Sequence, residues 1–343
     1  MKKLFNKLIK KPEEPESSRI TSETLSRHRE SILAGGRKFK YPIQYARHKL
    51  VINAIIISII ALILVAVVGW WQLYPSQNTS DFMYRITRVL PLPVAEVDRQ
   101  PVLYGDYLMK YISSVYYLEQ KEQVNLKTED GKRQVLYIKQ ESMNDAISNA
   151  YAQKLADKLK LSISDVELET FLKAQRQSAE GEISQQTYDA STLEYLGWTP
   201  DEYRYSIKKD LLRRKVSYEV DKNASDVAQK AGDAIANNSA IDLKTLSSDL
   251  STQTGLAVNY GASGLVPKSN QDGGLAMEAA KLSKGKASSV VKPTTGDGYY
   301  FVKLTDINDS QVNYEYIHIP LTEFVNQLKG VTDSGKVKKY ISL

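Results

Sequence analysis

The chain has 343 residues, of which 46 are Lys or Arg and 40 are Asp or Glu, and it contains no cysteine. A disulfide framework, a thiolate zinc site, an iron–sulfur cluster and a cysteine nucleophile all need a thiolate, so the composition excludes these classes. The chain has three histidines, His28, His48 and His318, which are far apart in sequence. This number and spacing disfavour a histidine-rich metal centre or a Ser-His-Asp triad. We therefore expect two or three folded domains that use neither a metal nor a cofactor. The lack of cysteine suits an exported protein.

Residues 50–71 form an apolar segment without a charged side chain over 22 positions. As a helix this segment would cover about 33 Å, against about 30 Å for the hydrocarbon core of a bilayer. A buried core helix is the alternative, but such helices seldom run this far without a polar face. Trp70 and Trp71, at its end, are typical of membrane interfaces. We predict a transmembrane signal anchor that contacts the lipid bilayer through residues 50–71.

The charge distribution predicts how this anchor is oriented. Residues 1–49 hold 13 basic and 5 acidic side chains, whereas the rest of the chain holds 33 basic and 35 acidic ones. The positive-inside rule then makes residues 1–49 a cytoplasmic basic tail and places the C-terminal domains outside the cell membrane. The tail suits anionic lipid head groups better than nucleic acid, so no nucleic-acid partner is expected. No small-x-small cleavage site follows the apolar segment, which favours a permanent single-pass anchor.

A short amphipathic helix is predicted just after the anchor, within residues 79–91. Ser80 can cap it, and Pro91 stops it. Its apolar residues share one face: Phe82, Met83, Ile86, Val89 and Leu90. Two roles fit that face equally, since it could rest on the membrane surface or pack on the domain that follows.

Residues 94–221 show mainly helical periodicity. A helix from about Gly105 and a longer one over about 132–159 carry apolar stripes at three- and four-residue spacing. A third helix follows Ser162 or Ser164, and residues 178–187 are polar and predict a loop. The last helix has the clearest start, because Thr199, Pro200 and Glu202 form an N-terminal capping pattern.

Three segments of this region follow one another in a recognisable order: VAEVDRQPVLYGDY, then NAYAQKLADKLKLSISDVELETFL, then LEYLGWTPDEYRYSIKKDLLRRKV. In this order the region resembles the N-terminal chaperone domain of SurA-type, PrsA-type and PpiD-type foldases. The resemblance covers about 125 residues. It implies that the partners are unfolded or nascent exported polypeptides.

Aromatic residues of the same region are candidates for contacting such polypeptides. Tyrosine is large, stiff and amphipathic, and 12 of the 22 tyrosines lie within residues 104–218. The candidate substrate-binding residues are Tyr107, Tyr111, Tyr151, Trp198 and Tyr203. Each could equally be a core residue whose polar group reaches the rim.

Residues 222–330 alternate short helices and strands and predict a small α+β domain, followed by a C-terminal tail at 331–343. The segment LAMEAAKLSKGKASSVVKPTTGDGYYFVKLTDI resembles the C-terminal half of a parvulin prolyl-isomerase domain. The match includes Gly285, Ser288, Gly298, Tyr299, Phe301, Val302, Lys303 and Leu304.

This segment departs from the parvulin pattern at three points. Tyr300 stands where the family has a histidine, and the usual Cys or Asp position falls near Gln253. The family's first strand is missing before the domain, whereas YEYIHIPLTEF, with His318, follows it. We hypothesise a circularly permuted sheet in which residues 311–319 fill the missing place. The alternative is an extra edge strand, away from Phe301, with His318 exposed on it.

Prolyl isomerisation needs no covalent step, because an enzyme can hold the amide twisted against a barrier of about 18–20 kcal/mol. By the resemblance, Leu275, Met277 and Phe301 could wall a proline pocket, and Tyr300 and His318 could act as the catalytic polar groups. The alternative makes Leu275, Met277 and Phe301 ordinary core residues.

The expected fold is a single-pass membrane protein with a mainly α-helical chaperone domain and a small α+β parvulin-like domain. The favoured function is a membrane-anchored extracytoplasmic chaperone whose isomerase domain is degenerate. One alternative is an active peptidyl-prolyl cis-trans isomerase. The other is a non-catalytic envelope interaction protein, and fold resemblance alone does not separate the three.

Overall fold

A computed structural model describes residues 21–40, 42–178, 181–238 and 240–343, without the side chains of residues 37–47. The first 20 residues of the predicted cytoplasmic tail lie outside these ranges. The chain divides into two compact units, residues 1–71 and residues 72–343.

Two helices form the described part of the first unit. Helix α1 spans Ser22–Lys40 and α2 spans Pro42–Leu73, so the last two residues of α2 belong to the second unit. Among the described residues, His48–Leu73 is the one stretch of helix long and apolar enough to cross a membrane, judged by its length and mean hydropathy of 3.2. The predicted anchor, residues 50–71, lies within it. Its apolar side chains are exposed, as expected of a helix that is apolar all round.

The second unit begins with a mainly helical region. Its elements are α3 Asp81–Val89, β1 Pro93–Val97, β2 Gln100–Leu103, α4 Tyr104–Gln120, α5 Glu129–Leu159, α6 Asp165–Gln175, β3 Gln177–Ser178, β4 Gly181–Glu182, α7 Gln185–Leu196 and α8 Pro200–Val220. Helix α7 begins inside the predicted loop at 178–187.

Local capping sets where α6 and α8 begin. Ser164 precedes α6 and Thr199 precedes α8, and each accepts a hydrogen bond from the backbone N–H three residues later. Glu167 and Glu202 reach back to the cap residues and complete two capping boxes. Both helix starts are as predicted.

The chain then enters a domain built on an antiparallel sheet. Its elements are α9 Lys222–Asn237, α10 Leu243–Thr254, β5 Asn259–Pro267, α11 Leu275–Ala279, β6 Gly298–Ile307 and β7 Gln311–Pro320. We call residues 222–320 the sheet domain. The strand order is β5–β7–β6, and Phe301 pairs with Ile317. The segment expected at 311–319 is therefore the central strand, beside Phe301, and not an edge strand. The expected strand at 288–292 makes only isolated bridges to β6.

Residues after the sheet domain return to the helical region. Helix α12 spans Glu323–Asp333 and packs against α8, and β8, Val337–Lys339, pairs with β1. The prediction that residues 331–343 form a tail is wrong, because they contain β8, the third strand of the sheet β2–β1–β8. Phe324 and Ile341 lie in the same core as the helices. We call residues 81–220 together with 321–343 the helical domain.

Asp221 joins the two domains. Its side chain is only 2% exposed. One carboxylate oxygen accepts from Ala224 N at 2.9 Å, and the other accepts from Thr322 N at 2.7 Å and Glu323 N at 3.0 Å. A single carboxylate thus caps α9, where the chain enters the sheet domain, and the start of α12, where it leaves.

Candidate functional site

Tyr300 and His318 lie side by side on the central pair of strands. They are register partners on β6 and β7, and their rings stack with centroids 4.4 Å apart and an interplanar angle of 14°. Gly298 makes this possible, because a Cβ there would lie 2.7 Å from His318 Nε2 and 2.3 Å from the Ile319 carbonyl oxygen. The strand order β5–β7–β6 thus brings together the two residues that the sequence proposed as catalytic.

Asp297 lies within hydrogen-bonding distance of both Tyr300 and His318. It accepts hydrogen bonds from Tyr300 Oη at 2.8 Å and from Thr295 Oγ1 at 2.6 Å, and its backbone oxygen lies 3.3 Å from His318 Nε2. Burial raises the pKa of Asp297, but the hydrogen bonds from Thr295 and Tyr300 outweigh it and leave the pKa below its usual value. Burial, and then the bond to Asp297, raise the pKa of Tyr300, so its hydroxyl stays protonated at neutral pH.

Two further tyrosines extend this aromatic pair along β7. Tyr316 lies 5.8 Å from Tyr300 and 6.2 Å from Tyr314, measured between ring centroids. Tyr314 Oη donates to Asp272 at 2.7 Å. Carboxylates thus hold the hydroxyls of Tyr300 and Tyr314, which are buried, whereas Tyr316 and His318 are half-buried and can contact an apolar ring or a peptide backbone. Within the described ranges, no group of three or more His, Asp or Glu side chains could hold a metal ion.

The predicted proline pocket is only partly assembled. Leu275, on α11, is buried on the same face of the sheet as Tyr300. Phe301 lies on the opposite face, packed with α9 and α10, because successive residues of a strand alternate between faces. Met277 is exposed on α11 and does not belong to the core under Tyr300. Gln253, near the expected Cys or Asp position, is exposed on α10, on the Phe301 side.

Helix α8 of the helical domain holds the loop that carries Asp297. Arg214 donates to the Thr294 carbonyl oxygen, and Tyr218 Oη donates to the Gly298 carbonyl oxygen at 2.6 Å. The geometry of Asp297 therefore depends on side chains from another domain. Sequence reasoning missed Arg214 and Tyr218, since nothing in the local pattern of α8 links them to a loop 80 residues later.

A second candidate site is a cleft in the helical domain, bordered by α3, α4, α7 and α8. Its volume is about 670 Å³. We call it the helical cleft, and its apolar lining consists of Met109, Ile112, Tyr116, Leu193, Leu196 and Trp198. Trp198 is oriented by a hydrogen bond from its Nε1 to the Met109 carbonyl oxygen at 3.2 Å.

Charged side chains of both signs also line the helical cleft. They are Asp81, Arg85, Glu194 and Glu202. Glu202 accepts a hydrogen bond from Tyr84 Oη at 2.6 Å, and Glu194 pairs with Lys121. The mixture gives the helical cleft no strong preference for ligands of one charge.

Most of the predicted aromatic contact residues are core residues. Tyr107 and Tyr111 stack on each other inside the domain, and Tyr151 packs against Phe324. For these three tyrosines the structure agrees with the core alternative, because the inward stripe of their helices is the one that packs.

The other two candidates, Trp198 and Tyr203, lie at the helical cleft and not in the centre of the core. Trp198 lines the helical cleft, and Tyr203 is half-buried behind it, with ring centroids 6.5 Å apart and its hydroxyl 2.8 Å from that of Tyr188. The missed lining residues Met109, Ile112 and Tyr116 form a second stripe of α4 at three- and four-residue spacing, a pattern that could have identified them.

Comparison with known proteins identifies the helical region. A family profile described as SurA-like N-terminal domain matches residues 43–217, slightly more than half of the 343 residues. The match ends within α8, and the comparisons do not identify a parvulin domain. No curated protein and no solved structure matches the chain. From the match we conclude that the chain belongs to the family of SurA-like N-terminal domains.

Proposed function

We propose that this protein is a membrane-anchored extracytoplasmic chaperone that binds unfolded or nascent exported polypeptides in the helical cleft. The observation that carries the proposal is an open, mainly apolar cleft in the domain that matches the SurA-like family. Its volume of about 670 Å³ falls in the range of about 300–1,000 Å³ usual for ligand-binding clefts. An unfolded chain supplies the apolar side chains that such a cleft would take up.

Exposed apolar groups beside the helical cleft support binding of an extended segment. Leu193, on the cleft wall, and its neighbour Tyr195 are both exposed on α7. Tyr117, on α4, is exposed next to a smaller cavity of about 350 Å³ that shares Trp198 with the helical cleft. Exposed apolar side chains grouped around a cleft favour an interaction site at that place.

The proposed topology is a single pass through the cell membrane. Residues 50–71 span the bilayer, residues 1–49 lie in the cytoplasm, and both domains lie outside the membrane. The exposed apolar stretch His48–Leu73 and the concentration of basic residues before it support this arrangement. Such an anchor would hold the helical cleft near the site where exported chains emerge.

A matched pair of leucines tests the helical cleft. Leu193 lines it and is 52% exposed, whereas Leu265 is 53% exposed on β5, outside it. Light scattering would follow the aggregation of an unfolded model protein with the full chain present in lipid nanodiscs. We expect Leu193→Asp to weaken suppression of aggregation several-fold and Leu265→Asp to leave it unchanged. Equal effects would place client binding elsewhere, and no suppression by the wild type would favour a non-catalytic envelope interaction protein.

The chaperone proposal treats the sheet domain as a degenerate parvulin-like domain, since Tyr300 replaces the family's histidine. A second candidate function, peptidyl-prolyl cis-trans isomerisation, is favoured by one observation. The strand order places His318 beside Tyr300 at the centre of the sheet. In this candidate the half-buried Tyr316 contacts the proline ring and His318 stabilises the twisted amide, with His318 positioned by the Tyr300 ring and by Asp297, which the Tyr300 hydroxyl holds.

Proline-limited refolding tests the second candidate, since the uncatalysed step takes about 10–100 s. If the site is active, the full chain shortens this phase, and His318→Gln and Tyr300→Phe lose the effect. Tyr299→Phe, on the opposite face of the sheet, serves as the control and keeps it. No acceleration by the wild type would contradict the isomerase candidate and leave the chaperone proposal intact.

A further inference from the structure

Helix α3 has two apolar sides, and only one of them is covered. Met83 and Thr87 are buried against the helical domain, where the Thr87 carbonyl oxygen approaches Gly105 of α4. Phe82 and Val89, one heptad apart, are exposed on another side of the helix. Because the inner side is tightly packed, the outer side has a fixed orientation in the domain.

The outer side combines apolar and basic groups. Leu90 is exposed next to Val89. Arg85, which also borders the helical cleft, is exposed between Phe82 and Val89 along the helix. Single exposed apolar residues are ordinary, but two on one nine-residue helix and a third at its C-cap, with an arginine among them, form an amphipathic stripe. We call Phe82, Arg85, Val89 and Leu90 the outer face of α3. An apolar stripe with arginine is typical of helices that lie in the head-group region of a bilayer.

The chain before α3 is fastened to the helical domain. Leu73, the last residue of α2, is buried in the domain core, and its carbonyl oxygen accepts from Tyr104 Oη at 2.6 Å. Tyr74 Oη donates to the Pro93 carbonyl oxygen at 2.6 Å. Only seven residues separate Leu73 from Asp81. Even fully extended they would span about 25 Å, so α3 begins close to the end of the apolar stretch His48–Leu73.

We propose that the outer face of α3 lies in the head-group region of the membrane that residues 50–71 span, with Phe82, Val89 and Leu90 inserted and Arg85 paired with lipid phosphate. This inference rests on the proposed membrane anchor. Guanidinium groups bind phosphate through paired hydrogen bonds, which makes a phospholipid head group the matching partner. The helical domain would then be held at the bilayer surface by two contacts, the anchor and α3.

A single-cysteine experiment tests this contact, because the natural chain has no cysteine and each introduced thiol is unique. The full chain would be reconstituted in vesicles of phosphatidylcholine and phosphatidylglycerol, with an environment-sensitive fluorophore attached at Val89→Cys. Val166→Cys on α6 is the matched control, since Val89 is 81% exposed and Val166 is 76% exposed. Ile57→Cys, inside the predicted anchor, reports on the anchor itself.

Lipids that carry nitroxide quenchers at the head group or in the acyl chain give the readout. We expect head-group nitroxide to quench the Val89→Cys label several-fold more than the Val166→Cys label, and acyl-chain nitroxide to quench the Ile57→Cys label. Equal quenching at 89 and 166, with quenching retained at 57, would overturn the α3 inference alone. Absence of quenching at 57 would overturn the anchor. A label at 89 shielded from aqueous iodide but not quenched by lipid would indicate contact with a second protein chain and would also overturn the inference.

Discussion

Replacing Asp221 by alanine should destabilise the protein more than the loss of an ordinary helix cap, because one buried carboxylate serves two helices. Its oxygens accept three backbone N–H groups, one at the start of α9 and two at the start of α12. In Asp221→Ala these donors lose their acceptor in a site that is 2% exposed, where water has little access to replace it.

The magnitude follows from this geometry. Loss of an N-cap costs about 1 kcal/mol per helix, so two caps give about 2 kcal/mol. Donors left unsatisfied in a buried site add about 1–2 kcal/mol, for a total of about 3–4 kcal/mol. Asp242→Ala is the matched control, since Asp242 caps only α10, accepts from Thr245 N at 3.0 Å and is exposed. We expect the control to cost about 1 kcal/mol.

Urea unfolding of the full chain in detergent micelles, followed by circular dichroism, measures both variants. Hydrogen exchange at Thr322 and Glu323 gives a local readout, since their amides should lose protection in Asp221→Ala and keep it in Asp242→Ala. Asp221→Asn should fall between the wild type and Asp221→Ala, because its amide oxygen can serve only one of the two helices. Equal destabilisation by the two alanine variants, with unchanged exchange at Thr322, would refute the double-cap argument.

Three further substitutions have defined expectations. Gly105→Ala should destabilise the protein by about 1–3 kcal/mol in urea unfolding, because its Cβ would lie 2.8 Å from the Thr87 carbonyl oxygen. Gly330→Ala, within α12 and with no atom near its Cβ, should instead stabilise it by about 1 kcal/mol, and destabilisation would contradict this expectation. The hydrogen bond from Lys215, followed by those from Ser164, lowers the pKa of Glu167 from 4.5 to about 2. The ionised Glu167 carboxylate therefore stabilises the folded protein above pH 4.5, and this stabilisation is lost as the pH falls towards 2. Thermal unfolding of Glu167→Gln between pH 2 and pH 5 should therefore show a smaller acid dependence than the wild type, and an identical dependence would contradict the assignment.

The sequence predicted well those features that neighbouring residues encode. The start of α8 follows from Thr199 and Glu202, which lie within one helical turn, and the long apolar helix follows from an apolar run without a charged side chain. A hypothesis about strand order placed residues 311–319 inside the sheet, and the pairing of Tyr300 with His318 is a finding of the structure. These signals are local in sequence or carried by a short motif, so they can be recognised without knowledge of the tertiary structure.

Features that depend on distant partners could not be predicted in the same way. Strand β8 has three residues, two of them lysine, and shows no periodicity until β1 supplies the pairing. Strand β5 contains two glycines that predict a turn, yet β7 draws the segment into the sheet. The hydrogen bonds from Arg214 and Tyr218 to the loop of Asp297 likewise form only in the folded chain.

The pairing of β1 with β8 also determines the order in which the protein can complete its fold. Ala95 pairs with Lys339, and the ribosome makes Lys339 only after the whole sheet domain. Until then one edge of β1 has no partner, and closing the sheet requires a loop of more than two hundred residues. The helical domain therefore gains its last strand late in synthesis, and in the meantime it carries an open strand edge, the kind of surface that folding proteins must keep from aggregating.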